Sequence, residues 1–304
     1  MQLDGDYLGH PYFVTGHAVF TALARRLDDA ASKSLQVSNG VFVPGEYGSY
    51  PDAHSQSGGV PYMGAGLRPV ERYEDLFLFR DAAQRWLSDT RPRDAHNTHP
   101  LREFGDWTGF ASSRSFGRPE SAHHSKRTVN WYVHVYLHSD GWSDAVPLSD
   151  ESLDGLRLGG ARNYGFGQSS LVETQTFDLD DLDYGHIADA DAHRIELLSP
   201  YVLASDYPGA DTQEVPWWWA VENGLRRRES RLVKGDDVFE VATVDHGQLV
   251  GYAGDDPVAT AKNGLLRVGT HAQYGFGEFR VRPASEDRVP GRNAAVRDAS
   301  RGES

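Results

Sequence analysis

The sequence predicts an α+β fold made of two tandem βαββαβ units, the first carrying a long insertion. Three observations predict it. The stretch "LRLGGARNYGFG" (Leu156 to Gly167) returns as "LRVGTHAQYGFG" (Leu266 to Gly277), 110 positions later (266 − 156), with seven of twelve residues identical. A near-repeat of that length points to a duplicated unit. Alternating strand patterns and a helical stripe precede each copy and a strand follows it. Finally, 304 residues suffice for about two domains of ordinary size.

Taken in order, "FVTGHAVFTALARRLDD" reads as a strand end and then a helix, because Val19, Leu23 and Leu27 line one face with Phe20 and Ala24 beside them. "LQVSNGVFVP" reads as a strand broken at the turn-favouring pair Asn39-Gly40. Residues 44–128 are rich in Gly, Ser, His and Pro and read as an insertion, with one helix at "YEDLFLFRDAAQRWLS". Its piece "SSRSFGRPESAHHSKRT" reads either as a solvated loop or as a loop ordered by RNA or a partner.

"TVNWYVHVYLHSDGW" is the clearest strand. Val129, Trp131, Val133, Val135 and Leu137 form an apolar face, opposite Asn130, Tyr132, His134, Tyr136 and His138. That second face could stack nucleobases or lie beneath the insertion. After the first glycine motif, "QSSLVETQTFDLDDLD" reads as a strand running into a solvated acidic linker.

"HRIELLSPYVLAS" then opens the second unit. "VPWWWAVENG" reads as a helix starting near Pro216, whose missing N–H suits a first turn. "LRRRESRLVKG", "DVFEVATV" and "GQLVGYAG" read as strands, "DPVATAKNG" as a short helix and "EFRVRP" as the closing strand. The first unit spans 1–183 and the second 184–283. The tail 284–304 lacks apolar periodicity and is expected to be disordered. This element order is the ferredoxin-like (RRM-like) plan.

Composition sets limits on function. Hydrophobic residues make up 39% of the chain, enough for real cores. No apolar run approaches the roughly 20 residues of a membrane span. "MQLDGDYLGHPYF" has neither the basic patch nor the apolar core of a signal peptide, so a cytoplasmic protein is expected. With no cysteine, disulfides, thiolate zinc sites and iron–sulfur clusters are excluded. The net charge of −14 comes from 29 Asp and 15 Glu against 26 Arg and four Lys. Abundant Asp with scarce Lys suits a salty cytoplasm, and against that background local Arg clusters carry more information than the total. Screening over about 3 Å near 1 M salt would confine phosphate recognition to close contacts.

The glycines of each motif, Gly159, Gly160, Gly165 and Gly167 in the first and Gly269, Gly275 and Gly277 in the second, permit φ > 0 and close backbone approach. Such runs can aim successive amides at an anion. Arg157, Arg162 and Arg267 add charge nearby, and Tyr164 and Tyr274 add rings that could anchor inward or stack on a base. Neither motif is a Walker loop, and neither opens a long helix as a dinucleotide turn does. Arg226, Arg227, Arg228, Arg231 and Lys234 form a further basic run, part of which could be a solvated strand face.

Tandem units with a glycine-rich loop between second helix and last strand resemble the repeat-associated mysterious protein (RAMP) superfamily of CRISPR-associated proteins. "GLRLGGARNYGFGQ" and "GLLRVGTHAQYGFGEFRV" are similar to that loop, and "GHAVFTALARRL" is similar to the first helix of several branches. The likeness covers most of residues 1–283, but its sharp part is about two dozen residues and the insertion does not align. The resemblance implies a CRISPR guide-RNA-binding subunit within a multi-protein interference complex, holding the RNA's 5′ tag or backbone. Phosphate contacts would set register and aromatic faces would take bases. The residues for this are Arg157, Arg162, Tyr164, Arg267, His271 and Tyr274, with the glycines above, Arg226 and Arg228.

The same resemblance implies an alternative: a metal-independent endoribonuclease for precursor CRISPR RNA, with His17 as general base opposite His271. Histidine suits proton transfer because its pKa lies near neutrality. A third reading is a structural subunit without RNA contact. His96 with His99 and His123 with His124 lack any paired carboxylate motif. Asp178, Asp180, Asp181 and Asp183 lack the glycine and final Glu of a calcium loop, so neither a metal nor a cofactor is expected.

Overall fold

The computed structural model describes residues 1–10, 13–44, 69–77, 130–139, 146–208, 210, 212, 214–221, 224–234, 236–266 and 271–285. The piece 112–128, His96, His99, His123, His124, Arg267, Gly269 and the tail beyond 285 lie outside these residues. The chain is a mixed α+β protein with several antiparallel sheets and few helices.

The first half builds a sheet in the order β2-β4-β5-β1-β7. Its strands are β1 (Gln2–Leu3), β2 (Phe13–Val14), β4 (Gly40–Pro44), β5 (Trp131–His134) and β7 (Ser169–Ser170), each antiparallel to its neighbours. Leu3 stands opposite both Trp131 and Ser169, so the two-residue β1 lies between β5 and β7. Helix α1 (Gly16–Ala24) starts where Thr15 accepts a hydrogen bond from the Ala18 amide, satisfying one of the first-turn N–H groups. It buries Val19 and Leu23 of the predicted stripe together with Ala22, and it ends before Leu27, which is half-buried. Asp28 caps α2 (Asp29–Ser34) in the same way.

The strand pair at Asn39-Gly40 breaks as predicted into β3 (Leu35–Val37) and β4, but the long strand at 129–138 also breaks, into β5 and β6 (Leu137–Ser139). The two breaks face each other. The Ser38 amide donates to the Tyr136 carbonyl at 2.9 Å, and the Tyr136 amide donates to Ser38 Oγ at 2.8 Å. A side-chain hydroxyl thus carries the ladder across, and β3 pairs with β6 beyond it. The core behind the sheet holds Val14, Leu23, Leu35, Phe42, Val133 and Leu158.

The second half has two sheets, β10-β13-β8-β14 and β11-β12-β9. Its strands are β8 (His193–Leu197), β9 (Tyr201–Ser205), β10 (Trp219–Ala220), β11 (Arg227–Lys234), β12 (Asp237–Val244), β13 (Leu249–Tyr252) and β14 (Phe279–Pro283). The single break at Ser199-Pro200 divides β8 from β9 and so divides the sheets. Helix α5 (Pro257–Leu266) covers β14, with Ala261, Gly264 and Leu265 inward. Short helices α3 (Asp150–Leu153) and α4 (Gly185–Ala188) complete the described helices of four or more residues.

Three expectations need correction. "VPWWWAVENG" is not a helix: a turn closes through the Trp219 amide onto the Pro216 carbonyl, and Trp219–Ala220 forms β10. Consecutive rings on a helix point about 100° apart and cannot all face one core. Here Trp219 is buried, Trp218 half-buried and Trp217 77% exposed.

The acidic run is more than a solvated linker. Asp178 caps the Asp180 amide, Asp180 meets Lys262 at 2.7 Å and Asp183 meets Arg72 at 3.3 Å.

The described piece of the insertion, residues 69–77, belongs with the second half. Tyr73, Leu76 and Phe77 are fully buried among Ile195, Leu197, Phe279 and Val281. Tyr136 donates to the Leu76 carbonyl at 2.5 Å, so this ring lies beneath the insertion.

Candidate nucleic-acid interface

The sequence repeat is also a backbone repeat. In the first loop, Ala161 (φ 52°) leads into a single 3₁₀ turn, Arg162–Tyr164, closed by Gly165 (φ 90°). In the second, His271 (φ 67°) leads into Ala272–Tyr274, closed by Gly275 (φ 84°). Gly167 (φ 70°) and Gly277 (φ 80°) follow at matching places. The non-glycine residues at matching positive φ show that the conformation belongs to the loop and not to one side chain.

The two copies differ in what surrounds them. The first leans on the N-terminal segment: the Gly160 amide donates to the Leu8 carbonyl and the Gly167 amide to the Asp6 carbonyl, both at 2.7 Å. A Cβ at Gly159 would run into the Tyr7 ring and the Leu8 carbonyl. Its tip projects outward, with Tyr164 65% exposed and open space beside Gly165. Arg157 is exposed and donates to the Arg162 carbonyl at 3.0 Å, holding the turn. Burial chiefly, and then the nearby Arg25, lower the pKa of Arg162.

The second copy packs between the halves. Tyr274 is buried, its ring 5.0 Å from Phe20 and 5.8 Å from His17, both on α1. His271 is also buried, with its ring edge-on to Tyr207 at 5.1 Å and, among the described residues, no hydrogen-bond partner for Nε2. Tyr207, just beyond β9, shares a hydrogen bond with Tyr274 at 3.3 Å and accepts one from Lys234 Nζ at 2.7 Å. The Lys234 ammonium holds the Tyr207 phenol below its ordinary range, whereas burial pushes the Tyr274 phenol up. Burial also lowers the His271 imidazole. Lys234 belongs to the basic run read from sequence, and Tyr207, which no motif marked, joins it to the second loop through the fold.

Five of the loop glycine amides are already spent inside the chain. Those of Gly160, Gly165 and Gly167 donate to Leu8, Arg162 and Asp6, and those of Gly275 and Gly277 to Ala272 and Pro200. These five amides are therefore not free donors.

Arg227, Arg228, Arg231 and Lys234 lie on β11, an edge strand among the described residues, with Arg226 just before it, and all five are exposed. Among the described residues, none of Arg25, Arg157, Arg162, these four arginines and Lys234 forms an ion pair with a carboxylate. In a chain of net charge −14 that is an unbalanced set of cations. Among the described residues no cluster of three His, Asp or Glu side chains could hold a metal ion, and no helix is long and apolar enough to cross a membrane.

No protein-family model matches the chain, and no curated protein matches it at a significant level.

Proposed function

We propose that this chain is a CRISPR guide-RNA-binding subunit of a multi-protein effector complex, acting in the cytoplasm and built from two ferredoxin-like units. The observation that carries the reading is the exposed first loop. It sets an outward tyrosine among Arg25, Arg157 and Arg162, none of which has a carboxylate partner among the described residues. Single-stranded RNA needs that pairing of cations for the backbone with a ring for bases.

Strand order supports the two-unit reading. In the first half β4-β5-β1-β7 corresponds to second, third, first and fourth strands of a βαββαβ unit. In the second, β13-β8-β14 gives third, first and fourth, although no helix joins β9 to β10 among the described residues.

The test is the affinity of the purified chain for single-stranded repeat RNA, with Tyr164→Ala and Arg162→Glu as variants. Loss of one stacked base costs about 1–3 kcal/mol, so binding weakens roughly 5- to 150-fold. Affinity unchanged in both variants overturns the assignment of the first loop. A chain that joins a large complex yet binds no RNA fits the scaffold reading instead.

A second reading has its own observation: His17 stands against the second loop, beside Tyr274. Incubation of repeat RNA with the chain and with His17→Ala tests nuclease activity. Cleavage by the parent that is lost in the variant favours it, and intact RNA with the parent removes it.

A further inference from the structure

We infer that Lys234, Tyr207 and His271 form a subsite for one phosphodiester of a single-stranded RNA, separate from the first loop. This rests on the RNA-binding reading above. The three groups come from the end of β11, the turn after β9 and the second glycine loop, so only the folded chain assembles them.

Lys234 supplies the charge. Its ammonium lies 2.7 Å from Tyr207 Oη and 5.2 Å from the centre of that ring. Asp237 stands opposite it in the β11–β12 register, yet among the described residues no carboxylate comes within ion-pair distance of Nζ. An ammonium has three N–H donors and no acceptor. One is spent on Tyr207, and two remain for a ligand. A side chain this flexible is costly to immobilise, and the phenol fixes it before any ligand arrives.

Tyr207 is itself held by Tyr274, which α1 buries through Phe20. The row Lys234–Tyr207–Tyr274 is thus anchored at its inner end and open at its outer end. His271 adds a second polar group, since among the described residues Nε2 is buried without a hydrogen-bond partner beside the Tyr207 ring. Its backbone is left-handed, which a non-glycine residue keeps only when its surroundings impose it. The matching residue of the first loop is Ala161, so the conformation is shared but the imidazole belongs to the second loop alone.

One full cation with neutral donors matches the single negative charge that a phosphodiester spreads over two oxygens. The site lies on the strand face that also carries Arg228, at even spacing from Lys234, so a polynucleotide is favoured over a small anion.

Affinity for a mixed-sequence single-stranded RNA, measured across a salt series, tests this. Each phosphate neutralised contributes about 0.7 to the slope of log K against log salt. Lys234→Gln should reduce the slope by about 0.7. Tyr207→Phe keeps the charge and the slope but weakens binding roughly three- to tenfold. Lys262→Gln, at a lysine already paired with Asp180, should change neither. A parent that binds RNA, with slope and affinity unchanged in Lys234→Gln and Tyr207→Phe, overturns the subsite and leaves the first-loop reading standing. A parent that binds no RNA overturns both. Circular dichroism of the variants shows that any loss arises in folded protein.

Discussion

Gly16, the first residue of α1, and Gly275, which closes the second loop, meet backbone to backbone. A Cβ added to Gly16 would lie 2.6 Å from Gly275 Cα and 2.6 Å from the Tyr274 carbonyl oxygen. Asn39 spans the same junction, accepting the Gly16 amide at 2.7 Å. The two halves of the chain therefore touch where neither has a side chain.

This contact separates the repeated glycines. Gly275→Ala meets both a positive φ and the Gly16 backbone at 2.8 Å, so strain of about 1–2 kcal/mol combines with overpacking of about 1–3 kcal/mol. Gly165→Ala has the same backbone strain but open space, so only the first figure applies. Urea midpoints of the two variants compare them, and equal losses would show that the junction is not tight.

Glu196 lies on β8 with 1% exposure, and Oε2 accepts from Arg280 at 2.8 and 3.1 Å, with Arg282 at 3.5 Å. Glu196→Gln removes the charge that these two buried guanidinium groups share. Breaking a buried pair from one side costs about 3–5 kcal/mol. Thermal unfolding should move down by several degrees or more, and a shift within error would refute the account.

Tyr73 holds the 69–77 segment in place by accepting the Val281 amide at 3.3 Å and approaching the Ala261 carbonyl at 3.5 Å. Tyr73→Phe leaves a buried N–H on β14 without its partner, at a cost of about 1–3 kcal/mol. Denaturant unfolding gives the size of the effect. A neutral result would mean that the ring alone anchors the segment.

Stability should fall on the acid side in part through His271. Its native pKa is depressed by burial, from an ordinary value of 6.5. Above that value both states are neutral and the contribution is complete. As pH falls below it, the unfolded chain takes up a proton that the native imidazole resists, and stability declines down to the native pKa. His186, also lowered chiefly by burial, acts in the same direction. Unfolding midpoints at about pH 7.5 and about pH 5.5 should differ less in His271→Phe than in the parent. An identical difference would rule out His271 as a contributor.

The repeat was the most legible part of the chain, because equal spacing of Gly, Tyr and Phe forced equal backbone at Gly165 and Gly275. The helical stripe at Val19 and Leu23 and the break at Asn39-Gly40 were legible for the same local reason. Long-range placement was not. Tyr164 and Tyr274 occupy the same motif position, yet one is 65% exposed and the other 5%, because α1 covers only the second loop. Tyr207 and Lys234 stand 27 residues apart and become neighbours only after β9, β12 and β11 pair. Val70, Tyr73, Leu76 and Phe77 have helix-like spacing, but spacing does not say which core receives them.

Because Tyr73, Leu76 and Phe77 complete an interior whose other buried walls come from residue 182 onward, with Tyr136, Phe177 and Leu179 packed against it, cutting the chain near 183 would not yield two self-sufficient pieces. The downstream fragment would begin life with a hole where three large side chains belong. During synthesis, its upstream plug leaves the ribosome more than a hundred residues before the sheet that receives it. The protein is thus sewn together by residues 69–77, which an upstream stretch contributes to a downstream core.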